Sequence, residues 1–286
     1  MKNKPVDISV VYLTKNGGNV FKNSLRAVFK QKIDQIFEVI CVDSGSTDST
    51  LDLVSSYPIA LYQIKPEDFS FGPARDYGFS KAEGNIIVTL SQDVVPCDEK
   101  WLYNLTKAFE SPDVSVVQGH DIRPDRKEIF FWERSGQFYF TRETRKWVRQ
   151  HGVGLSCSNL AIRNMVWRDC LFGETPMSED KALQAKLHAK GHKIFYAREA
   201  TAYHGHSYCL GSLIKRCENE GLGWRYVNIN YSFLDMAYDI LSPRKYITLM
   251  KGIFQKKIVS SSEFLFPFIR PLWLFKGNHF TKRYRF

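Results

Sequence analysis

The six cysteines (Cys41, Cys97, Cys157, Cys170, Cys209 and Cys217) include no C-x-x-C pair and follow no regular spacing. That argues against a zinc ribbon or a disulfide framework and leaves reduced thiols, several of them in apolar runs, as the expectation. No uninterrupted apolar stretch reaches the ~18 residues that a membrane-spanning helix needs. The most apolar candidate, Ile258 to Phe275, is broken by Glu263, Pro267, Arg270 and Pro271. The opening Met1-Lys2-Asn3-Lys4 leads straight into a short strand, so no secretory signal is expected there. No G-x-G-x-x-G follows the first hydrophobic run, which disfavours a dinucleotide oxidoreductase. Internal repeats and low-complexity tracts are absent as well.

At 286 residues the chain can bury a large core, and its 44 % hydrophobic and 24 % charged content is that of an ordinary globular protein. The charge is unevenly placed. Residues 242–286 hold ten Lys/Arg against the single acid Glu263, which accounts for +9 of the formal +10. The remaining body is close to neutral, so nucleic acid is not an expected partner.

Two continuous β-branched runs in the first third each end in an aspartate. Val39-Ile40-Cys41-Val42 runs into Asp43, and Ile86-Ile87-Val88-Thr89-Leu90 runs into Ser91-Gln92-Asp93. Such runs suit strands buried on both faces of a parallel sheet. Ligands of open α/β sheets sit outside the carboxyl ends of the strands, where both aspartates fall. Strands are expected at Ile8–Leu13, Phe37–Val42, Ile59–Ile64, Ile86–Leu90 and Val114–Gln118. Helices are expected at Val20–Lys30, Ser49–Ser55, Pro73–Lys81 and Glu99–Phe109. The alternation implies an α/β protein with a mostly parallel central sheet flanked by helices. After Gly119 the alternation stops, giving way to an aromatic and basic stretch (126–150) and a Gly/Ser-rich segment (151–159). A helix follows from Ser178 to His188, then a strand at Lys193–Tyr196, and a helical, basic and aromatic extension completes the chain.

Several residues admit both a chemical and a purely structural reading. The polar turn Thr14-Lys15-Asn16 with Asp43 can meet a base or ribose, or simply connect a strand to a helix. Asp93 can bind a hard divalent cation, which takes few carboxylates and completes its shell with substrate phosphates, or form a turn. Ser178-Glu179-Asp180 can cap a helix, or supply a carboxylate kept ionised by the helix dipole as a general base. Arg75 can brace a diphosphate or sit as a surface charge. His204 and His206 can ligate metal or pack.

The order of these pieces resembles the family 2 glycosyltransferases with the GT-A fold, and within them the rhamnosyltransferase-like branch. Val10 to Asn16 is similar to the family's first strand and nucleotide loop, with Leu13 where proline is usual. Val42-Asp43-Ser44-Gly45-Ser46-Thr47-Asp48 resembles its V-D-x-G-S-x-D segment. Phe71-Gly72-Pro73-Ala74-Arg75-Asp76-Tyr77-Gly78 resembles G-x-A-R-N-x-G with Asp76 for asparagine. Ser91-Gln92-Asp93 takes the D-x-D position without its first aspartate, and Glu179-Asp180 the position of the catalytic E-D pair.

The resemblance covers about residues 5–210. It implies a GT-A glycosyltransferase domain over residues 1–210 (nucleotide-sugar half 1–120, acceptor half 121–210), with the extension over 211–286. It implies Asp180 as catalytic base, and Thr14, Asn16, Asp43, Arg75, Gln92 and Asp93 as donor-binding residues. Trp132 and Glu179 are expected on the acceptor side, and Asp93 with His204 as ligands of Mg²⁺ or Mn²⁺. The implied activity is inverting transfer from a nucleotide-sugar donor, dTDP-rhamnose or a UDP-hexose, to a saccharide or lipid-linked saccharide. A non-catalytic nucleotide-sugar-binding protein is the alternative from another class. The basic aromatic tail reads either as a surface that lies on an anionic bilayer, which would place the protein in the cytoplasm on the inner face of the plasma membrane, or as a helix pair packed on the domain with solvated charges.

Overall fold

The computed structural model describes residues 5–124, 126–152 and 154–284. The chain forms two compact units. The first comprises residues 1–122, 155–174 and 183–204, and the second residues 123–154, 175–182 and 205–286.

The first unit is built on one sheet of eight strands: β1 (Ile8–Thr14), β2 (Phe37–Asp43), β3 (Ile59–Gln63), β4 (Ile86–Leu90), β5 (Val95–Pro96), β6 (Val114–Ile122), β7 (Asn159–Arg163) and β8 (Lys193–Tyr203). Their spatial order is β3-β2-β1-β4-β7-β6-β8-β5. The pairs β3-β2, β2-β1, β1-β4 and β6-β8 are parallel, while β7 runs antiparallel to both its neighbours and β5 antiparallel to β8. The sheet is therefore mostly parallel, as the continuous apolar runs require. Val10, Val39 and Val88 point to one layer with Leu25 and Trp101. Val11, Ile40 and Ile87 point to the other with Phe79, Leu160 and Leu183. Burial of both faces explains why these strands read as unbroken hydrophobic runs rather than alternating ones.

Thr14 pairs with Asp43 in register across β1 and β2, so both lie at the carboxyl edge of the sheet. The segment after Gly119, expected to be irregular, instead extends β6 to Ile122 and supplies β7. β8 runs on to Tyr203, well past the expected Tyr196. These additions pair with distant strands: His120, Asp121 and Ile122 lie beside Thr201, Ala202 and Tyr203.

The second unit is helical. Its helices are Phe131–Arg134, Arg142–His151, Leu210–Tyr226, Phe233–Ile240, Pro243–Phe254 and Ser261–His279, with the first turn of Glu179–Ala189. The helix Ser261–His279 opens with a capping box in which Ser260 and Glu263 satisfy each other's backbone N–H groups. Glu263 also accepts from the N–H of Phe131 at 2.7 Å. Two prolines lie inside this helix, and it packs closely on Leu210–Tyr226, where a Cβ added at Gly277 would fall 2.0 Å from the Glu218 carbonyl oxygen. Only glycine permits that approach. Between these two helices Arg270, fully buried, donates from both terminal nitrogens to Glu220 at 3.0 and 2.9 Å. No helix among the described residues is long and apolar enough to cross a membrane. None of the six cysteines is joined in a disulfide among the described residues, and Cys41, Cys157, Cys170 and Cys217 are buried.

Lys245 is fully buried in this unit, and its Nζ has no hydrogen-bond partner among the described residues. Burial lowers its pKa to about 8, against the opposing pull of Asp239. Between that value and the unfolded value near 10.4 the unfolded chain binds more protons than the folded one, so stability rises with pH in that window. The cost of burying the charge is present below it. Lys245→Met should stabilise the chain at pH 7 by on the order of 2–3 kcal/mol and remove the gain between pH 8 and 10. Urea unfolding at both pH values checks this, and an unchanged pH slope in the variant counts against it.

Candidate active site

The carboxyl ends of β1, β2 and β4 carry a set of interlocked turns in the first unit. Asp43 is fully buried rather than presented to solvent. One carboxylate oxygen accepts from the N–H groups of Gly45 and Ser46 at 2.9 Å each, and the other from Thr14 Oγ1 at 3.1 Å and Ser46 Oγ at 2.5 Å. It thus shapes the Ser44–Ser46 turn. Thr14 Oγ1 also lies 3.1 Å from the Cys41 sulfur, whose thiol burial pushes up to about 12. Asn16 adopts a left-handed backbone (φ 50°), and its side-chain oxygen accepts from the Thr47 N–H at 2.7 Å. The Asn16 N–H donates to Ser46 Oγ at 2.8 Å. The loops after β1 and β2 are tied into one shelf.

Gln92, the middle residue of the Ser91-Gln92-Asp93 segment, is a brace between loops. Its Oε1 accepts from the Lys15 N–H at 3.0 Å and its Nε2 donates to the Lys15 carbonyl at 3.1 Å. A carboxylate could accept there but could not donate, so the amide closes both bonds and pins the β1 loop to the β4 loop. Asp76, in place of asparagine, likewise has a structural function. Its oxygens accept from Trp167 Nε1, Phe172 N–H and Gly173 N–H at 2.8, 3.1 and 2.8 Å. Arg75 is a buried cation and not a surface charge, and its Nη1 donates to Thr89 Oγ1 at 2.6 Å near the end of β4.

Asp93 follows Gln92, one third exposed, with Oδ1 3.8 Å from His204 Nε2. That separation is too long for a hydrogen bond and suits two atoms ligating one ion at 2.0–2.2 Å each. One carboxylate and one imidazole form a donor set that fits Mn²⁺ and tolerates Mg²⁺. The imidazole is oriented from behind by Asp121, whose Oδ2 lies 3.0 Å from His204 Nδ1 and accepts from Ser158 Oγ at 2.6 Å. A carboxylate behind a histidine fixes its ring and tautomer and raises its basicity as a ligand. Asp121 was absent from the residues singled out in the sequence because β6 was expected to stop at Gln118. The available signal was an aspartate near the end of a third apolar strand, Asp121 in Val114–Ile122.

In the second unit, Glu179 and Asp180 open the helix Glu179–Ala189, as their sequence pattern predicts. Glu179 is buried, and its charge acts on the Tyr284 hydroxyl. Asp180 is part-exposed, with Oδ1 accepting from the Lys181 N–H at 2.7 Å. The preceding Ser178 is held at φ 63°, a conformation uncommon outside glycine. That turn rests against Gly223, where a Cβ would come within 2.3 Å of the Met177 carbonyl oxygen and 2.9 Å of Ser178 Oγ. Gly223→Ala should therefore push the turn and the first helical residues aside. With Asp180 as the base that the family resemblance implies, turnover would fall about 10²-fold with donor affinity unchanged, since a displacement near 1 Å costs that much. Steady-state kinetics alongside donor titration would show it, and normal turnover would refute it.

Trp132 requires a correction. Its side chain is fully buried, stacks on Phe266 at a centroid distance of 4.7 Å and donates from Nε1 to the Glu263 carbonyl at 2.6 Å. An indole enclosed in this way offers no face to a sugar, so Trp132 is withdrawn from the acceptor side.

The sequence profile of Glycosyl transferase family 2 matches residues 9–171, more than half of the chain. The O-antigen chain rhamnosyltransferase RfbN of Salmonella typhimurium is 26 % identical over 211 residues, covering 70 % of this chain and 67 % of its own. WbaN of Salmonella anatum, also an O-antigen chain rhamnosyltransferase, is 27 % identical over 212 residues, covering 70 % and 66 %. The chain thus spans about two thirds of the length of these relatives. Among solved structures, the mannosyltransferase PcManGT of Pyrobaculum calidifontis, in complex with GDP-Man and Mn²⁺, superposes with a TM-score of 0.62 at 16 % identity over 98 % of this chain and 89 % of that one. Glucosyl-3-phosphoglycerate synthase of Mycobacterium tuberculosis, with Mn²⁺ and UDP, gives 0.53 at 16 % identity over 73 % and 75 %. The sheet is that of the GT-A fold, the matched residues contain the interlocked strand-end loops, and the chain belongs to glycosyl transferase family 2, its resemblance within that family running to the rhamnosyltransferase-like branch.

Proposed function

We propose that this glycosyltransferase inverts configuration as it moves a sugar, rhamnose from dTDP-rhamnose before UDP-hexoses, onto a hydroxyl of a saccharide or lipid-linked saccharide in cell-surface polysaccharide synthesis. The observation that carries the donor site is the Asp93–His204 pair, braced by Asp121 at the carboxyl edge of the sheet. The rhamnosyltransferase names of the relatives support the choice of sugar.

In this reading the shelf formed by Thr14, Asn16 and the Asp43 turn receives base and ribose. Gln92 keeps the shelf in place, and Arg75 supplies a buried positive charge near the departing diphosphate. Asp93 and His204 hold Mg²⁺ or Mn²⁺, which when bound stabilises charge on the leaving group. Asp180 takes the proton of the acceptor hydroxyl as its oxygen bonds to the anomeric carbon and the bond from that carbon to the diphosphate breaks. Glu179, buried behind it, supports the acceptor side. The basic, aromatic 242–286 segment brings the protein to an anionic bilayer on the cytoplasmic side, where a lipid-linked acceptor is presented.

Calorimetric titration tests the donor reading. Wild type should bind dTDP-rhamnose only with Mn²⁺. Asp93→Ala should abolish that metal-dependent binding, and Asp121→Asn should weaken metal affinity about 10-fold. Metal-independent binding of equal strength in all three proteins would contradict the assignment, and preference for a UDP-hexose would replace the sugar.

A further inference from the structure

Each end of β8 carries a histidine. His204 follows the strand and lies beside Asp93, while His192 precedes it. The 11 residues of β8 separate the two. At about 3.3 Å a residue they stand roughly 30 Å apart. At the His192 end the first unit gathers a second set of metal-ligating side chains. Asp169 and Cys170 close the helix Asn164–Asp169, and His192 completes the turn between the helix Glu179–Ala189 and β8. One donor atom from each, a carboxylate oxygen, the thiol sulfur and a ring nitrogen, lie within 4.8 Å of one another.

Each member is arranged for ligation. Cys170 is 1 % exposed, and its thiol makes no hydrogen bond among the described residues. Burial pushes that thiol's pKa up, which makes it a poor nucleophile and leaves a metal as the partner able to displace its proton. His192 Nδ1 lies 3.0 Å from Ser115 Oγ, and Nε2 has no hydrogen-bond partner among the described residues. A hydroxyl that accepts from Nδ1–H leaves the lone pair on Nε2, which is how a ligating imidazole is held from behind. Asp169 Oδ1 meets Lys190 Nζ at 2.6 Å, and the same ammonium donates to the Asp169 carbonyl at 2.9 Å. That contact holds Asp169 below the usual carboxylate range. A cation is thus already drawn to this carboxylate, and both side chains are exposed, so Lys190 can swing into water when a stronger one arrives.

We infer that Asp169, Cys170 and His192 form a second metal site, for Zn²⁺, separate from the Asp93–His204 pair. Thiolate, imidazole and carboxylate are all zinc donors, and a water completes the tetrahedral shell. A hard ion such as Mg²⁺ does not favour a thiolate, so the two sites sort metals by softness. On binding, the Cys170 proton passes to solvent and the Lys190 ammonium leaves Asp169. The ion then ties the end of the helix Asn164–Asp169 to the turn that opens β8. It acts as a staple and takes no part in sugar transfer.

The experiment is titration of the full chain, first stripped of metal with a chelator, using Co²⁺ as the spectroscopic substitute for Zn²⁺. Thiolate ligation gives a sulfur-to-cobalt charge-transfer band, which Asp93 and His204 cannot give because neither carries sulfur. Wild type should develop the band, Zn²⁺ should bleach it and Mg²⁺ should not. Asp93→Ala should keep it whole, so the result stands apart from the donor-site reading. Cys170→Ser should abolish the band, whereas Cys209→Ser, at the exposed cysteine, should leave it intact. Cys170 is buried and its variant could fold poorly, so His192→Ala, at a half-buried residue, is the second probe. Ser115→Ala should weaken Co²⁺ binding about 10-fold, as loss of an outer partner does, and His192→Ala should weaken it further. No band in wild type, or a band that survives Cys170→Ser, would overturn the site. A band lost in Cys209→Ser would place the metal on an exposed thiol and refute it as well. Equal Co²⁺ affinity in His192→Ala and wild type would remove the histidine and with it the proposed ligand set.

Discussion

Asp180→Asn should lower turnover by on the order of 10²–10⁴ while leaving fold and donor affinity intact, the range expected for loss of a general base. The carboxamide matches the carboxylate in size and can still accept the Lys181 N–H at the start of the helix Glu179–Ala189, so the first turn keeps its geometry. What it loses is the capacity to take a proton. Negative charge at a helix N-terminus is favoured by the helix dipole, a setting compatible with the role proposed for Asp180. Single-turnover transfer to an acceptor, measured beside donor titration, separates chemistry from binding. An Asp180→Asn protein that turns over near the wild-type rate would remove Asp180 from the mechanism. Loss of donor binding together with rate would point to damage in the fold instead.

The second large effect concerns stability. Arg270→Leu should cost about 3 kcal/mol or more in the second unit, because it leaves the Glu220 carboxylate buried without its forked partner. Arg216 offers partial relief, with Nη1 3.7 Å from Glu220 Oε2. The lost guanidinium also abandons the faces of Phe138 and Tyr139, over which it sits at 4.7 and 5.6 Å. Removing both charges is a different matter. Arg270→Leu/Glu220→Leu should recover most of the loss, since replacing a buried pair by apolar groups is often neutral. Urea unfolding of the two variants forms the comparison. Equal destabilisation by both would mean that the packing, and not the orphaned charge, sets the cost.

The strands around the donor shelf were legible in the sequence. Ile86–Leu90 was read with its observed bounds, and Ile8–Leu13 and Phe37–Val42 each stop one residue short of the strand that forms. Burial on both faces leaves a continuous β-branched run that local sequence reveals without help from the rest of the chain. The Glu179-Asp180 helix start was legible for a similar reason, since acids in a first turn are a local signal. Beyond Gly119 the local signals thin out. The five residues of Asn159–Arg163 form a buried strand, yet so short an apolar run does not distinguish strand from helix.

What the sequence by itself determined is the parallel half of the sheet, the aspartates at its carboxyl edge, the helix that opens with Glu179 and Asp180, and the basic, aromatic character of the tail. What only the tertiary structure decided is which of these groups meet. Asp121 reaches His204 because β6 and β8 continue side by side past their predicted ends, and that pairing joins residues about 80 positions apart. Gln92 proved to be a brace because Lys15, in another loop, offers a donor and an acceptor at one place. Trp132 went to the core because Phe266 and the Glu263 carbonyl enclose it from the far end of the chain. Each depends on long-range contact, which closes only when the whole chain is folded and leaves no trace in local periodicity.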